Sequence, residues 1–151
     1  MKKNTSQLLR AILLGGIVAG TIDIGAACLI SGRDVIYILH AVAGGLLAKA
    51  SFEGGMPTAV LGAFLQEAMS ILIAAIYVAV SRFKPTFLHR WILGGILYGT
   101  LTFIVMNYVV VPLSAWAQAP QFSPRGFVLN LLAMILFGII ISFFASRTRS
   151  K

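Results

Sequence analysis

Apolar residues do not alternate with polar ones along this chain; they run in long blocks. Four blocks stand out, at positions 11–30, 57–80, 91–112 and 126–145. A helix rises about 1.5 Å per residue, so about 20 residues cross a hydrocarbon core of about 30 Å. Each block meets that length and predicts a membrane-spanning helix. Few polar residues interrupt them: Thr21 and Asp23 in the first, Gln66 and Glu67 in the second, Asn107 near the end of the third, and Asn130 near the start of the fourth.

A fifth apolar stretch, 35–48, is shorter, and runs of that size are more often interfacial or re-entrant than spanning. Asp34 stands where a helix N-cap belongs, and Gly44-Gly45 weakens the middle. Beyond it, Gly54-Gly55 lets the chain turn, and Pro57 suits the first turn of the next helix. The predicted fold is all-α: one membrane domain over 1–151, a four-helix bundle with one short interfacial or re-entrant helix between its first and second spans.

Composition narrows the class. Of 151 residues, 59% are hydrophobic and 11% charged, against roughly 25% charged in ordinary soluble domains. That excludes a normal soluble domain and also disorder, which needs the opposite balance. A single cysteine, Cys28, excludes an intrachain disulfide framework.

Charge decides the number of crossings. The net charge is +8. With four crossings and both termini in the cytoplasm, Lys2, Lys3, Arg10, Arg82, Lys84, Arg90, Arg147, Arg149 and Lys151 face inward, and only Arg33, Lys49 and Arg125 face outward. If 35–48 also crossed, the majority would fall outside. The positive-inside rule therefore favours four crossings, with both termini in the cytoplasm. Trp91, Trp116, Tyr108 and Phe122 fall near the predicted interfaces, as an aromatic belt would. The chain's start has signal-peptide features, with Met1-Lys2-Lys3 and a lipoprotein-like Gly25-Ala26-Ala27-Cys28. Asp23 within the apolar region and Gly25 in place of a bulky aliphatic favour an uncleaved helix.

Depth then locates the chemistry. Asp23 lies roughly 18 Å from the inner edge, and Gln66 and Glu67 about 15 Å below the outer one. A charged side chain near the bilayer centre costs about 2.5–3.5 kcal/mol on insertion scales, and such residues are functional candidates by default. The expected site is a cavity open to the outer side, lined by Asp23, Gln66 and Glu67, with His40 on the short helix acting as a lid. The competing reading makes these groups hydrogen-bonding glue between helices. Gln66 and Glu67 point about 100° apart on an ideal helix, so they do not face one site equally. Asn107 is a further candidate for the site, although Asn107 and Asn130 are better expected to bond across helices. His40 also fits a plain headgroup position.

Small residues recur at Gly16/Gly20 and Gly95/Gly99, a spacing that lets helices approach closely, within the bundle or between copies in a homo-oligomer. The segment from Arg82 through Phe83, Lys84, Pro85 and His89 to Arg90 forms a basic loop suited to anionic lipid heads. Phosphate-binding glycine loops, His-Glu-x-x-His and Gly-x-Ser-x-Gly are lacking, and the two histidines fall on opposite predicted sides. No catalytic residue, metal, cofactor or nucleic-acid partner is expected, and the lipid bilayer is the expected surrounding.

Several local motifs together resemble a known group. These are Gly20-Thr21-Ile22-Asp23, Gly44-Gly45-Leu46-Leu47, Ala50-Ser51-Phe52-Glu53-Gly54-Gly55, Leu61-Gly62-Ala63 and Met106-Asn107-Tyr108-Val109-Val110-Val111-Pro112-Leu113-Ser114. The combination, over most of 10–115, resembles the YagU-like family of small uncharacterised bacterial inner-membrane proteins. The resemblance implies a small multi-helix inner-membrane protein and no established reaction. It also implies a histidine in relatives where Gln66 stands, which shifts weight here to Asp23.

The functional expectation is a small transport or permeation module. Asp23 binds a proton or cation, Glu67 or Gln66 completes the site, and 35–48 gates it. The alternative is a non-catalytic scaffold or subunit of a larger membrane complex. An enzyme acting on lipid, with Asp23 or Glu67 as general base, ranks last, because no positioned nucleophile or metal set accompanies the acids.

Overall fold

Asp34 starts a helix as its place before an apolar run predicts. In the computed structural model its Oδ1 accepts the backbone N–H of Tyr37 at 2.7 Å. The structure describes residues 2–83, 90–117 and 122–148, which are helical with no strand among them. Lys84, Pro85, His89, Arg149, Lys151 and the side chains of Lys2 and Lys3, used in the charge argument, lie outside the described residues.

The helices are α1 (Lys2–Ser31), α2 (Val35–Leu47), α3 (Gly55–Phe83), α4 (Trp91–Val105) and α5 (Pro124–Ser146). A tight 3-10 segment, Ala48–Phe52, follows α2. A π-helical turn, Met106–Val110, and a last α-turn, Val111–Leu113, extend α4. The predicted blocks thus sit inside observed helical segments, the third only when the π-helical turn and the last α-turn are counted with α4.

Two local features have clear causes. Pro112 lacks an N–H and cannot continue the ordinary ladder. The backbone ahead of it widens, with the Val111 N–H reaching Met106 O. At the other break, Ala48 takes φ +49 and ends α2, and its N–H returns to Gly44 O. The chain then tightens rather than turning away, so the apolar helical segment reaches Phe52. At 18 residues, Val35–Phe52 is longer than the sequence suggests. It joins Thr5–Ser31, Gly55–Phe83, Trp91–Leu113 and Pro124–Ser146 among helices long and apolar enough to cross a membrane. The surface agrees. Leu97, Leu101 and Ile104 of α4 and Val128, Leu132 and Leu136 of α5 form exposed stripes. Exposed apolar stripes of this kind suit lipid rather than water.

Length alone therefore does not say how Val35–Phe52 lies, but helix direction bears on it. Gly16 sits against Ile71 and Gly20 against Ser70, Thr21 bonds Glu67, and Asp23 bonds Gln66. Numbers rise along α1 as they fall along α3, so the two helices are antiparallel. The end of α1 and the start of α3 therefore lie at the same end of the pair, and α2 with its 3-10 extension connects them there.

The remaining pairs are also antiparallel. Gly95 meets Ile139 and Gly99 meets Met134 between α4 and α5. Gly15 of α1 meets Phe144 of α5. One end of the bundle thus collects Arg10, Arg82, Arg90 and Arg147. The other collects Arg33, Asp34, Lys49, Glu53 and Arg125. The glycines of the two predicted pairs are all buried in these intrachain contacts. Those faces are spent inside the bundle, so a contact between copies has to use other surfaces.

With lipid tails as apolar as the side chains, close packing and polar pins hold such helices together. Ala19, Ala74, Tyr77, Val78, Phe137, Ile141 and Ala145 form the central cluster of α1, α3 and α5. Ser142 Oγ donates to Trp91 O at 2.7 Å, which uses its only proton, so Tyr77 Oη donates to Ser142 at 2.6 Å. Tyr98 Oη donates to Ile73 O at 2.7 Å, with its ring 4.9 Å from that of Tyr77.

Candidate functional site

The polar site is built where α1 and α3 pack against each other around Gly20. Gly20 makes this possible: a Cβ there would lie 2.6 Å from Ser70 Oγ and 3.2 Å from Glu67 Oε1. Three polar residues of α3 therefore lie against α1. Gln66 Nε2 donates to Asp23 Oδ2 at 3.0 Å. Thr21 Oγ1 donates to Glu67 Oε1 at 3.3 Å, a long bond. Ser70 Oγ donates back to Gln66 O at 2.8 Å, within its own helix.

The two acids are unequally satisfied. Asp23 is half-buried and accepts from an amide. Glu67 Oε2 is buried with no hydrogen-bond partner among the described residues. A buried polar atom left unpaired carries a full desolvation penalty, so this oxygen is where the site is incomplete. Gln66 and Glu67 both engage α1 despite their angular separation, because they reach different positions on it: Asp23 for Gln66 and Thr21 for Glu67.

The other predicted site residues are elsewhere. His40 Nε2 faces Gly55 O at 2.8 Å; a carbonyl only accepts, so the imidazole donates. Its ring stands edge-on to Phe52 at 5.7 Å. His40 thus ties α2 to the start of α3 and makes no contact with either acid. Asn107 and Asn130, expected to bridge helices, bond their own instead. Asn107 Nδ2 donates to Phe103 O at 2.9 Å, and Asn130 Nδ2 to Gly126 O at 2.8 Å. Each amide reaches a carbonyl one turn back, a bond that needs no neighbouring helix. Asn107 is not part of the α1–α3 site.

Trp116 covers α2. Its indole rests on Gly44, and Nε1 donates to Ala41 O at 3.2 Å. The adjacent Ala115 N–H donates to Gly45 O at 2.9 Å. Backbone also meets α3 closely at Gly62, whose missing side chain leaves room for the Leu39 carbonyl. The 35–52 segment is therefore clamped between α3 and the segment after α4.

Sequence reasoning missed Thr21 and Ser70 as members of the site. The available signal was modest: Thr21 lies two residues before Asp23, and Ser70 one turn after Gln66. Among the described residues no group of three or more His, Cys, Asp or Glu is placed to hold a metal. No family model, no curated protein and no solved structure matches the chain, so the resemblance drawn above rests on its motif residues alone.

Proposed function

We propose that this chain is a membrane protein of four crossings, with Val35–Phe52 an excursion that enters and leaves from one side. The antiparallel packing of α1 and α3 supports this, because a complete crossing by the intervening helix would make them parallel. The four arginines gathered at the far end support a cytoplasmic assignment for that end, with both termini there, in a bacterial inner membrane.

The polar site between α1 and α3 then takes up a proton or a monovalent cation from the periplasmic side. The observation that carries this reading is the unpaired Glu67 Oε2 beside the Asp23–Gln66 pair. An apolar surrounding penalises a bare carboxylate oxygen, and a proton or small cation removes that penalty. Asp23, held by Gln66, fixes the geometry, and Thr21 marks the exposed edge of the site.

The test is ion flux in proteoliposomes under an imposed potential, read with an internal pH dye and a cation dye. The wild-type chain is expected to move a proton or monovalent cation, and both Glu67→Gln and Asp23→Asn to lose most of that flux. A wild-type chain that moves neither overturns the reading and leaves a scaffold or subunit role. Flux unchanged in both variants overturns the assignment of the site.

A further inference from the structure

The basic end of the bundle holds a second feature, independent of the acidic site. A groove of about 410 Å³ opens between the start of α1 and the end of α5. Arg10 and Gln7 border it on α1, and Arg147 and Thr148 just past the end of α5, while Leu14 and Phe144 lie deeper along the same walls. Arg147 is held at the rim by its guanidinium stacking over the Phe143 ring at 4.7 Å. Thr148 spends its hydroxyl proton on Ala145 O.

Two guanidinium groups, one on α1 and one just past the end of α5, meet no acidic side chain at this end. The chain's four acids, Asp23, Asp34, Glu53 and Glu67, lie in the mid-membrane site or at the other end. A cation at a helix C-terminus already complements the helix dipole, which accounts for Arg147 alone. It does not account for Arg10, eight residues along α1 and roughly 12 Å from the helix start. Leu14 lies one turn further in, so the groove runs from charge at the rim to hydrocarbon below. That gradient matches a molecule with an anionic head and an acyl tail. Basic pockets between membrane helices on the cytoplasmic side recognise phospholipid heads in this way, through bidentate arginine–phosphate bonds.

We propose that the α1–α5 groove is a binding site for an anionic phospholipid, its phosphate between Arg10 and Arg147 and one acyl chain along Leu14 and Phe144.

The experiment is native mass spectrometry of the full chain in mild detergent. The chain is titrated with phosphatidylglycerol and, separately, with phosphatidylcholine carrying the same acyl chains. The proposal expects one phosphatidylglycerol retained in preference to phosphatidylcholine. The double variant Arg10→Gln/Arg147→Gln is expected to bind it roughly tenfold or more weakly. The control Arg82→Gln/Arg90→Gln removes the same charge from the same end, outside the groove, and is expected to keep the affinity within about twofold. Equal weakening in both double variants would reveal diffuse charge attraction and overturn the proposal. So would equal retention of the two lipids by the wild-type chain, a result that needs no variant to fold. Displacement by millimolar inorganic phosphate also overturns it, because the site would then hold a free anion rather than a lipid.

Discussion

Gln66 hands a side-chain hydrogen bond to Asp23 across the α1–α3 interface at 3.0 Å, pairing an amide with a carboxyl from a different helix. Hydrogen bonds between membrane helices are worth less than their burial suggests, about 0.6 kcal/mol on average in measured cases. A double-mutant cycle of Asp23→Ala and Gln66→Leu, read by reversible unfolding in detergent, should give a coupling of roughly 0.5–1.5 kcal/mol. Coupling indistinguishable from zero would mean the pair does not form.

Two glycines of α1 make opposite predictions. Gly20 has Ser70 and Glu67 where a side chain would be, whereas Gly25 has nothing within 4 Å. Gly20→Val should push the helices apart and destabilise by roughly 1–3 kcal/mol. Gly25→Ala should be neutral or stabilise by up to about 1 kcal/mol through helix propensity. Thermal melting of the two variants side by side distinguishes them, and equal effects would contradict the close approach at Gly20.

The Tyr77–Ser142–Trp91 chain of hydrogen bonds gives an ordered pair. Tyr77→Phe removes one donor and leaves Ser142 bonded to Trp91 O, at a cost near 1 kcal/mol. Ser142→Ala removes both bonds and strands the buried Tyr77 hydroxyl, while the Trp91 carbonyl keeps its place in the α4 ladder, at about 2–3 kcal/mol. Denaturation midpoints should therefore fall further for Ser142→Ala, and the reverse order would contradict the direction assigned to these bonds.

Clamping of the 35–52 segment predicts a local effect. Trp116→Ala removes the cover over Gly44 and the bond to Ala41 O. Hydrogen exchange should quicken in Val35–Phe52 while the centres of α4 and α5 keep their protection. Uniform loss of protection would show that Trp116 supports the whole bundle instead.

Much of this was legible in the sequence because membrane helices announce themselves by length. The four long blocks, the Asp34 cap and the Gly54-Gly55 turn all depend on local chemistry. Asp23, Gln66 and Glu67 could be set at a common depth by counting residues, and counting also gathers Gln66 beside Asp23. Side-chain choice was less legible. Asn107 and Asn130 satisfy themselves on their own helices, and His40 finds a backbone carbonyl, because a donor takes the nearest acceptor that geometry allows. The extension of α2 to Phe52 was hidden because it follows from the backbone at Ala48 rather than from the apolar pattern. The groove at the basic end was hidden because Arg10 and Arg147 lie far apart in the chain and meet only through helix direction.

That direction is what the whole account depends on, and it can be read with cysteine accessibility. In a Cys28→Ser background, Arg33→Cys, Glu53→Cys and Arg82→Cys are each treated with a membrane-impermeant maleimide in vesicles of known orientation. The account predicts that positions 33 and 53 react from one and the same side and position 82 from the opposite side. Labelling of 33 and 53 from opposite sides would mean that Val35–Phe52 crosses fully, which would make α1 and α3 parallel and contradict the antiparallel contacts that join Asp23 to Gln66 and Thr21 to Glu67.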